Sequence, residues 1–456
     1  MTHGVEVTYR GAVRPSPAAL SRPLLALGLA AALAAPLSTS PVGAAVGAAG
    51  GAAVSGAAAE PTERAQRAAE PRRIAHAQWD TGNDFRTGTM NGTLFVKGAL
   101  GVVKAPTARR TYAGRTYEQG RWTSPWVAPR FGLTELIASW EATTPGDSWI
   151  EVEVRGKDAA GTTSSYDVLG RWTSGDGHTL RRTVSGQSDD LGSVNVDTWR
   201  SAASAGVTSW QLRVSLVRRP GARRASPTLD TVGAMASRVP SGSVATSRPG
   251  VAGGIVLPVP RYSQMIHQGH YPQWGNGGEA WCAPTSTSMV LGYYDALPYP
   301  ASYSYVPKGH VNPWVDHAAR LTYDHAYKGT GNWPFNTAYA APLAGSAFVT
   351  RLRSLREAEQ LIKAGIPVIA SIAFDRGQLS GAPISASNGH LLVIVGFTRS
   401  GDVVVNDPAA ANRAGVRRTY DRGQFENVWL PRSGGTVYVI TDDAHPLPSP
   451  EKYSNW

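Results

Sequence analysis

Glu279-Ala-Trp-Cys-Ala-Pro-Thr-Ser-Thr-Ser-Met-Val-Leu-Gly-Tyr-Tyr294 holds the only cysteine among 456 residues. A thiol used once cannot form an intramolecular disulfide, so Cys282 is either an inert apolar filler or a reactive group. Pro284, two residues on, suits the first turn of a helix, and Met289, Val290, Tyr293 and Tyr294 follow at helical spacing. Cys282 is therefore expected at a helix N-terminus, where the positive end of the dipole and the unpaired amides favour the thiolate.

A cysteine nucleophile needs a general base, a group that orients the base, and donors for the oxyanion. His390 opens an apolar strand in Asn388-Gly-His-Leu-Leu-Val-Ile-Val-Gly-Phe397, and Gly389 before it leaves room for a substrate or for the thiol. Asp407 closes a further strand in Val405-Asn-Asp-Pro408. In chain order these are the parts of a Cys–His–Asp triad. The plain alternatives are a structural histidine at 390 and a turn-capping aspartate at 407. A flat hairpin turning at Ser400-Gly401 sets Asp407 opposite Ile394, about 13 Å along the strand from His390 at roughly 3.3 Å per residue. Only twist, a bulge or an irregular turn closes that gap.

Taken in order, Val259-Pro-Arg-Tyr-Ser-Gln264, Trp281-Cys-Ala-Pro-Thr-Ser286, Gly389-His390 before its apolar strand, and Asn406-Asp-Pro408 resemble the C39-like family of papain-fold cysteine peptidases over about residues 256–440. The resemblance implies a papain-like fold and hydrolysis of a peptide or amide bond through an acyl-thioester on Cys282, without a cofactor. It implies His390 as the base and later acid, Asp407 as the orienting group, and the Gln264 side chain as an oxyanion donor beside the Cys282 amide. Because Gln264 lies well upstream, the segment Met265–Glu279 has to loop out, and Gln273 and Asn276 are alternatives for that role. A peptide or protein is the expected substrate. Two rival readings stay open: an acyltransferase or amidase on the same triad, and a non-catalytic wall- or sugar-binding protein on a degenerate peptidase fold.

Around the triad, Ser354–Gly365 reads as a helix with a Ser354/Glu357 capping box and a closing glycine. Strands are expected at Pro367–Phe374, Leu391–Val395, Val403–Val405 and Thr436–Ile440, which makes residues 255–445 an α+β domain with a tail at 446–456. Upstream, Ser237–Gly254 is a Ser/Gly/Pro linker. Before it, residues 73–236 alternate with period two. Ile150, Val152 and Val154 oppose Glu151, Glu153 and Arg155, while Trp210, Leu212, Val214 and Leu216 share a face. Recurrent turn signals make this an all-β sandwich. It carries eight tryptophans: Trp79, Trp122, Trp126, Trp140, Trp149, Trp172, Trp199 and Trp210. A carbohydrate- or wall-binding module is one reading, with Trp149 as its platform. Buried core residues are the plainer one.

At the N-terminus, Arg10, Arg14 and Arg22 precede the apolar run Leu24–Ala35, and Val42-Gly-Ala44 makes a cleavage site. Residues 1–44 thus read as a signal peptide, with an uncleaved anchor as the alternative, and 45–72 as an Ala/Gly-rich leader. The protein is expected to be secreted, extracellular or cell-wall-associated, with no stable membrane span after cleavage. A free thiol in an oxidising compartment favours a functional one. The net charge of +11 draws polyanions in encounter, but no nucleic-acid motif is present, so no nucleic-acid partner is expected. No metal is expected either. His267-Gln-Gly-His270, with His317 and His325, lacks a carboxylate or thiol at a recognised spacing.

Overall fold

The alternation at 149–155 becomes the strand Trp149–Lys157, paired antiparallel with Ser209–Arg218 so that Ile150 faces Leu216, Val152 faces Val214 and Val154 faces Leu212. All six of these side chains are fully buried. They form the middle of a six-stranded antiparallel sheet. A seven-stranded antiparallel sheet, built on Glu135–Thr143 paired with Thr228–Arg238, contributes to the same apolar core. The computed structural model describes residues 71–449 and 454–456. The expected signal segment 1–44, and the leader 45–72 except for its last two residues, lie outside the described residues.

The opposite face of strand Trp149–Lys157 is not the solvated surface its alternation predicts. Glu151 and Glu153 are buried beneath arginines, with Glu151 paired to Arg110 and Arg171 and Glu153 to Arg213. Trp149 is fully buried there, against Tyr117, Val217 and Tyr112, with the Arg110 guanidinium 4.8 Å from its ring centre. It therefore offers no platform to a sugar. Seven of the eight tryptophans are buried core residues, and the eighth, Trp126, is half-buried with Arg155 and Lys157 over its ring. The β-rich half also carries one short helix, α1 (Gly82–Arg86).

The second half pairs helices with a six-stranded antiparallel sheet, in the order 346–351, 436–441, 368–374, 387–397, 403–406 and 417–420. Its helices are α2 (Cys282–Tyr293), α3 (Pro313–Thr322), α4 (Trp333–Ala344), α5 (Leu355–Lys363) and α6 (Arg422–Ser433). At α5 the expected capping box is altered. Ser354 accepts from the Arg356 amide, but Glu357 reaches past Ser354 to the Arg353 amide. Gly365, at φ 82°, ends the helix as expected.

The two halves are joined through apolar and polar contacts. Phe335 of α4 is fully buried against Trp140 and Trp172, at ring distances of 6.1 and 5.5 Å. Arg320 grips Asp176 with two hydrogen bonds of 2.6 and 2.8 Å, and the Val349 amide donates to Ser139 Oγ at 2.8 Å. The segment expected as a linker, Ser237–Gly254, is pinned. Ser237 and Arg238 belong to the strand Thr228–Arg238, Ser247 bonds Glu426, and the amides of Gly250 and Ala252 both donate to Glu359. Residues 454–456 are tied down as well, with Asn455 Nδ2 donating to the Arg351 carbonyl and to Glu357.

Candidate active site

Helix α2 begins at Cys282 itself, with Pro284 in its first turn. It is buried all round from Ala283 to Leu291, which explains why its stripe of apolar residues is interrupted by Thr285-Ser-Thr-Ser288. Those small polar side chains admit close neighbours and bond to them. Ser286 Oγ donates to the Leu391 carbonyl at 3.1 Å and Thr287 Oγ1 to Asn336 at 3.3 Å. The first of these ties the cysteine helix to the residue beside His390, and so helps fix the spacing of Cys282 and His390.

His390 sits near the start of strand Ser387–Phe397, opposite Ile372, and is buried. Its Nε2 lies 2.8 Å from Asp407 Oδ1. With Nε2 so engaged, Nδ1 is the nitrogen left for the thiol. The flat-hairpin estimate of the His390–Asp407 separation is corrected. The register steps by one between Ile394 and Gly396, and the turn after Phe397 removes a further residue, so Asn406 pairs with Val393. Asp407 thus comes level with Leu392, on the same face as His390 and one residue pair away. Asp407 is itself held. Tyr420 Oη donates to Oδ2 at 2.7 Å and the Ala409 amide to Oδ1 at 3.0 Å. Tyr420 had no signal in the sequence, since it lies on a short polar strand, Arg417–Tyr420.

Electrostatics follow from this geometry. At Cys282, burial opposes the thiolate, but the hydrogen bond and charge of His390 and the amides of Leu391 and Ala283 outweigh it, and the thiol pKa falls. At His390, burial opposes the imidazolium, but the charge and hydrogen bond of Asp407 and the contact with Cys282 win, and its pKa rises. At Asp407 burial is again overcome, by His390 and Tyr420, and the carboxyl pKa falls. The arrangement favours a thiolate–imidazolium pair backed by a carboxylate.

Gln264 is buried next to this site. Its amide accompanies the aspartate loop, donating to the Pro408 carbonyl at 2.9 Å, and its Nε2 donates to the Glu279 carbonyl at 2.5 Å, three residues before the cysteine. Segment Met265–Glu279 does loop out between them, through two short 3-10 turns and the left-handed residues Gly269, Tyr271, Gly275, Asn276 and Gly277. Of the two alternatives, Asn276 lines the cleft at Cys282 and Gln273 is exposed outside it.

That cleft has a volume of about 630 Å³. Cys282, Asn276, Ser371 and Gly389 line it from the second half, and Asn195–Thr198 and Arg200 line it from the β-rich half. A Cβ on Gly389 would meet nothing within 4 Å, consistent with open space before the histidine. The hairpin turn has Val196 at φ 56°, a strained conformation for a β-branched residue, and its Asp197 accepts from the Trp333 amide at 2.9 Å. Burial pushes the Asp197 carboxyl up to about 6. Nothing in the sequence marked this hairpin, because its place depends on how the two halves pack.

The histidines set aside in the sequence divide. His317 Nδ1 lies 3.0 Å from the Tyr339 hydroxyl, and His325 is half-buried with its ring edge-on to Tyr323. His267 and His270, by contrast, converge on Asp316, a carboxylate too distant in sequence to form a spacing motif.

No curated protein matches the chain. Two family models match in succession: residues 75–237 the Peptidase C39 N-terminal domain, and residues 256–437 the Peptidase_C39 like family. The segment bearing Cys282, His390 and Asp407 is therefore a member of the C39-like peptidase family, and the β-rich segment before it is the N-terminal domain that carries that family's name.

Proposed function

We propose that the chain is a secreted cysteine peptidase that hydrolyses a peptide or amide bond on Cys282. The observation that carries this reading is the 2.8 Å contact from His390 Nε2 to Asp407 Oδ1, which leaves the other ring nitrogen for a thiol at a helix N-terminus. In the reaction, the Cys282 thiolate attacks the substrate carbonyl carbon. The oxyanion that forms is held by the Cys282 amide, one of the first-turn donors without an intrahelical partner, and by the Gln264 side chain. His390 passes its proton to the departing amine, leaving an acyl-thioester. A water then attacks the thioester carbonyl while His390 takes the water's proton, and the acid product leaves with the thiolate restored. Asp407 holds the imidazole in orientation throughout. The hairpin Asn195–Thr198 makes the β-rich domain a wall of the substrate cleft, in place of a separate carbohydrate-binding module. Incubation with a peptide library, comparing the mature chain with Cys282→Ala, tests the reading. Cleavage lost in the variant supports it, and cleavage retained overturns it.

A further inference from the structure

Asp316 is fully buried on α3, and among the described residues the groups within ion-pair distance of it are three imidazoles and no lysine or arginine. His267 Nδ1 lies 3.1 Å from its Oδ2, His270 Nδ1 2.8 Å from its Oδ1, and His310 Nδ1 3.8 Å from the same Oδ1. The ligand atoms of His267, His270 and Asp316 all lie within 4.8 Å of one another. Tetrahedral zinc, with bonds of about 2.0–2.1 Å, spaces its ligands about 3.3 Å apart, so small side-chain movements would suffice.

Hydrogen bonds within the protein leave this cluster incompletely satisfied. The His270 and His310 rings stack nearly parallel at 3.8 Å. His310 Nδ1 is buried without a hydrogen-bond partner, and so is His267 Nε2. A divalent cation would instead meet one carboxylate charge and up to three uncharged imidazole nitrogens, a donor set that suits zinc among the borderline metals.

The cluster also joins three separate parts of the chain. His267 and His270 lie on the looped segment that leads into the nucleophile, His310 on the loop before α3, and Asp316 on α3. His267 packs 6.0 Å from Trp281, the residue next to Cys282. We propose that His267, His270 and Asp316, with His310 as the fourth ligand, bind one zinc ion that staples the segment 265–281 behind the active-site cysteine.

The test uses the full mature chain in a Cys282→Ser background, so that the thiol cannot compete for metal. After dialysis against a chelator, zinc chloride is titrated by calorimetry. The expected result is one saturable ion per chain, a raised thermal midpoint, and an X-ray absorption shell of nitrogen and oxygen without sulfur. His270→Ala, at a half-buried position, should keep the far-ultraviolet spectrum and weaken binding tenfold or more. Asp316→Asn should do the same, and if it fails to fold, His310→Ala replaces it. Absence of saturable binding, or binding equal in the background and in His270→Ala, overturns the proposal.

Discussion

Tyr420 donates its hydroxyl to Asp407 Oδ2 at 2.7 Å, while the other oxygen of that carboxylate meets His390 at 2.8 Å. The phenol fixes the carboxylate, and the carboxylate fixes the imidazole. Tyr420→Phe removes one charge-assisted hydrogen bond, worth about 1.5–3 kcal/mol, from a buried aspartate. Turnover should fall roughly tenfold or more with little change in KM, because the loss is in alignment of His390 and not in substrate contact. An unchanged kcat in the variant would remove Tyr420 from the machinery.

The thiol should react as a thiolate below the ordinary cysteine value of about 8.5. The sign follows from the site: His390 lowers the Cys282 pKa, and Asp407 with Cys282 raises that of His390. The ion pair therefore persists from below the usual cysteine value to above the usual histidine value of about 6.5. Alkylation rates measured against pH should stay high through neutrality and shift to the ordinary thiol range in His390→Ala. A wild-type thiol that titrates at the ordinary value would contradict the pair.

Gln264 and Asn276 separate by kinetics. Gln264 is buried and reaches the Glu279 carbonyl, whereas Asn276 stands exposed on the cleft wall. If Gln264 supplies the oxyanion donor, Gln264→Ala should lower kcat by about 10²–10³, and Asn276→Ala should act mainly on KM. The reverse pattern would transfer the role to Asn276.

The placement of these residues was legible in the sequence to the extent that local chemistry fixed it. Cys282 with Pro284, and His390 at the head of an apolar run, sit on elements whose patterns are short-range. Asp407 was found by order, but its distance was misjudged, since one bulge near Val395 and one shortened turn decide the register. Tyr420, the Asn195–Thr198 hairpin and Asp316 gave no signal, because each meets its partners only through tertiary packing. Helix α4 escaped for a different reason: it is apolar around most of its circumference and carries Pro334 and Pro342. Trp149 misled because the face it occupies is closed by arginine–glutamate pairs and not by water.

Asp197 makes the stability of the cleft wall depend on pH. Burial raises its carboxyl from 3.8 to about 6, so the folded chain holds a proton that the unfolded chain has released. Its contribution is fully present below about pH 4 and is lost as the pH rises through about 6. The shift corresponds to roughly 2–3 kcal/mol. Asp197→Asn should flatten this part of the profile, seen as a smaller drop in urea midpoint between pH 4 and 7 than in the parent chain. Identical profiles would show that Asp197 ionises freely.

Phe335 decides whether the two domains unfold together. Its ring is fully buried between Trp140 and Trp172 of the β-rich domain, and a Cβ added at Gly170 would lie 3.2 Å from both Phe335 and Trp140, so the seam is packed without slack. Truncation of such a residue costs about 3–5 kcal/mol through lost burial and the cavity left behind. With the seam also tied by Arg320 to Asp176 and by Arg351 to Glu135, calorimetry of the mature chain should show one cooperative transition covering both domains. Phe335→Ala should lower its midpoint and begin to split it, as the β-rich domain loses the support of α4. Two resolved transitions in the parent chain would mean that the seam contributes little, and that the Asn195–Thr198 wall of the cleft is free to move independently of Cys282.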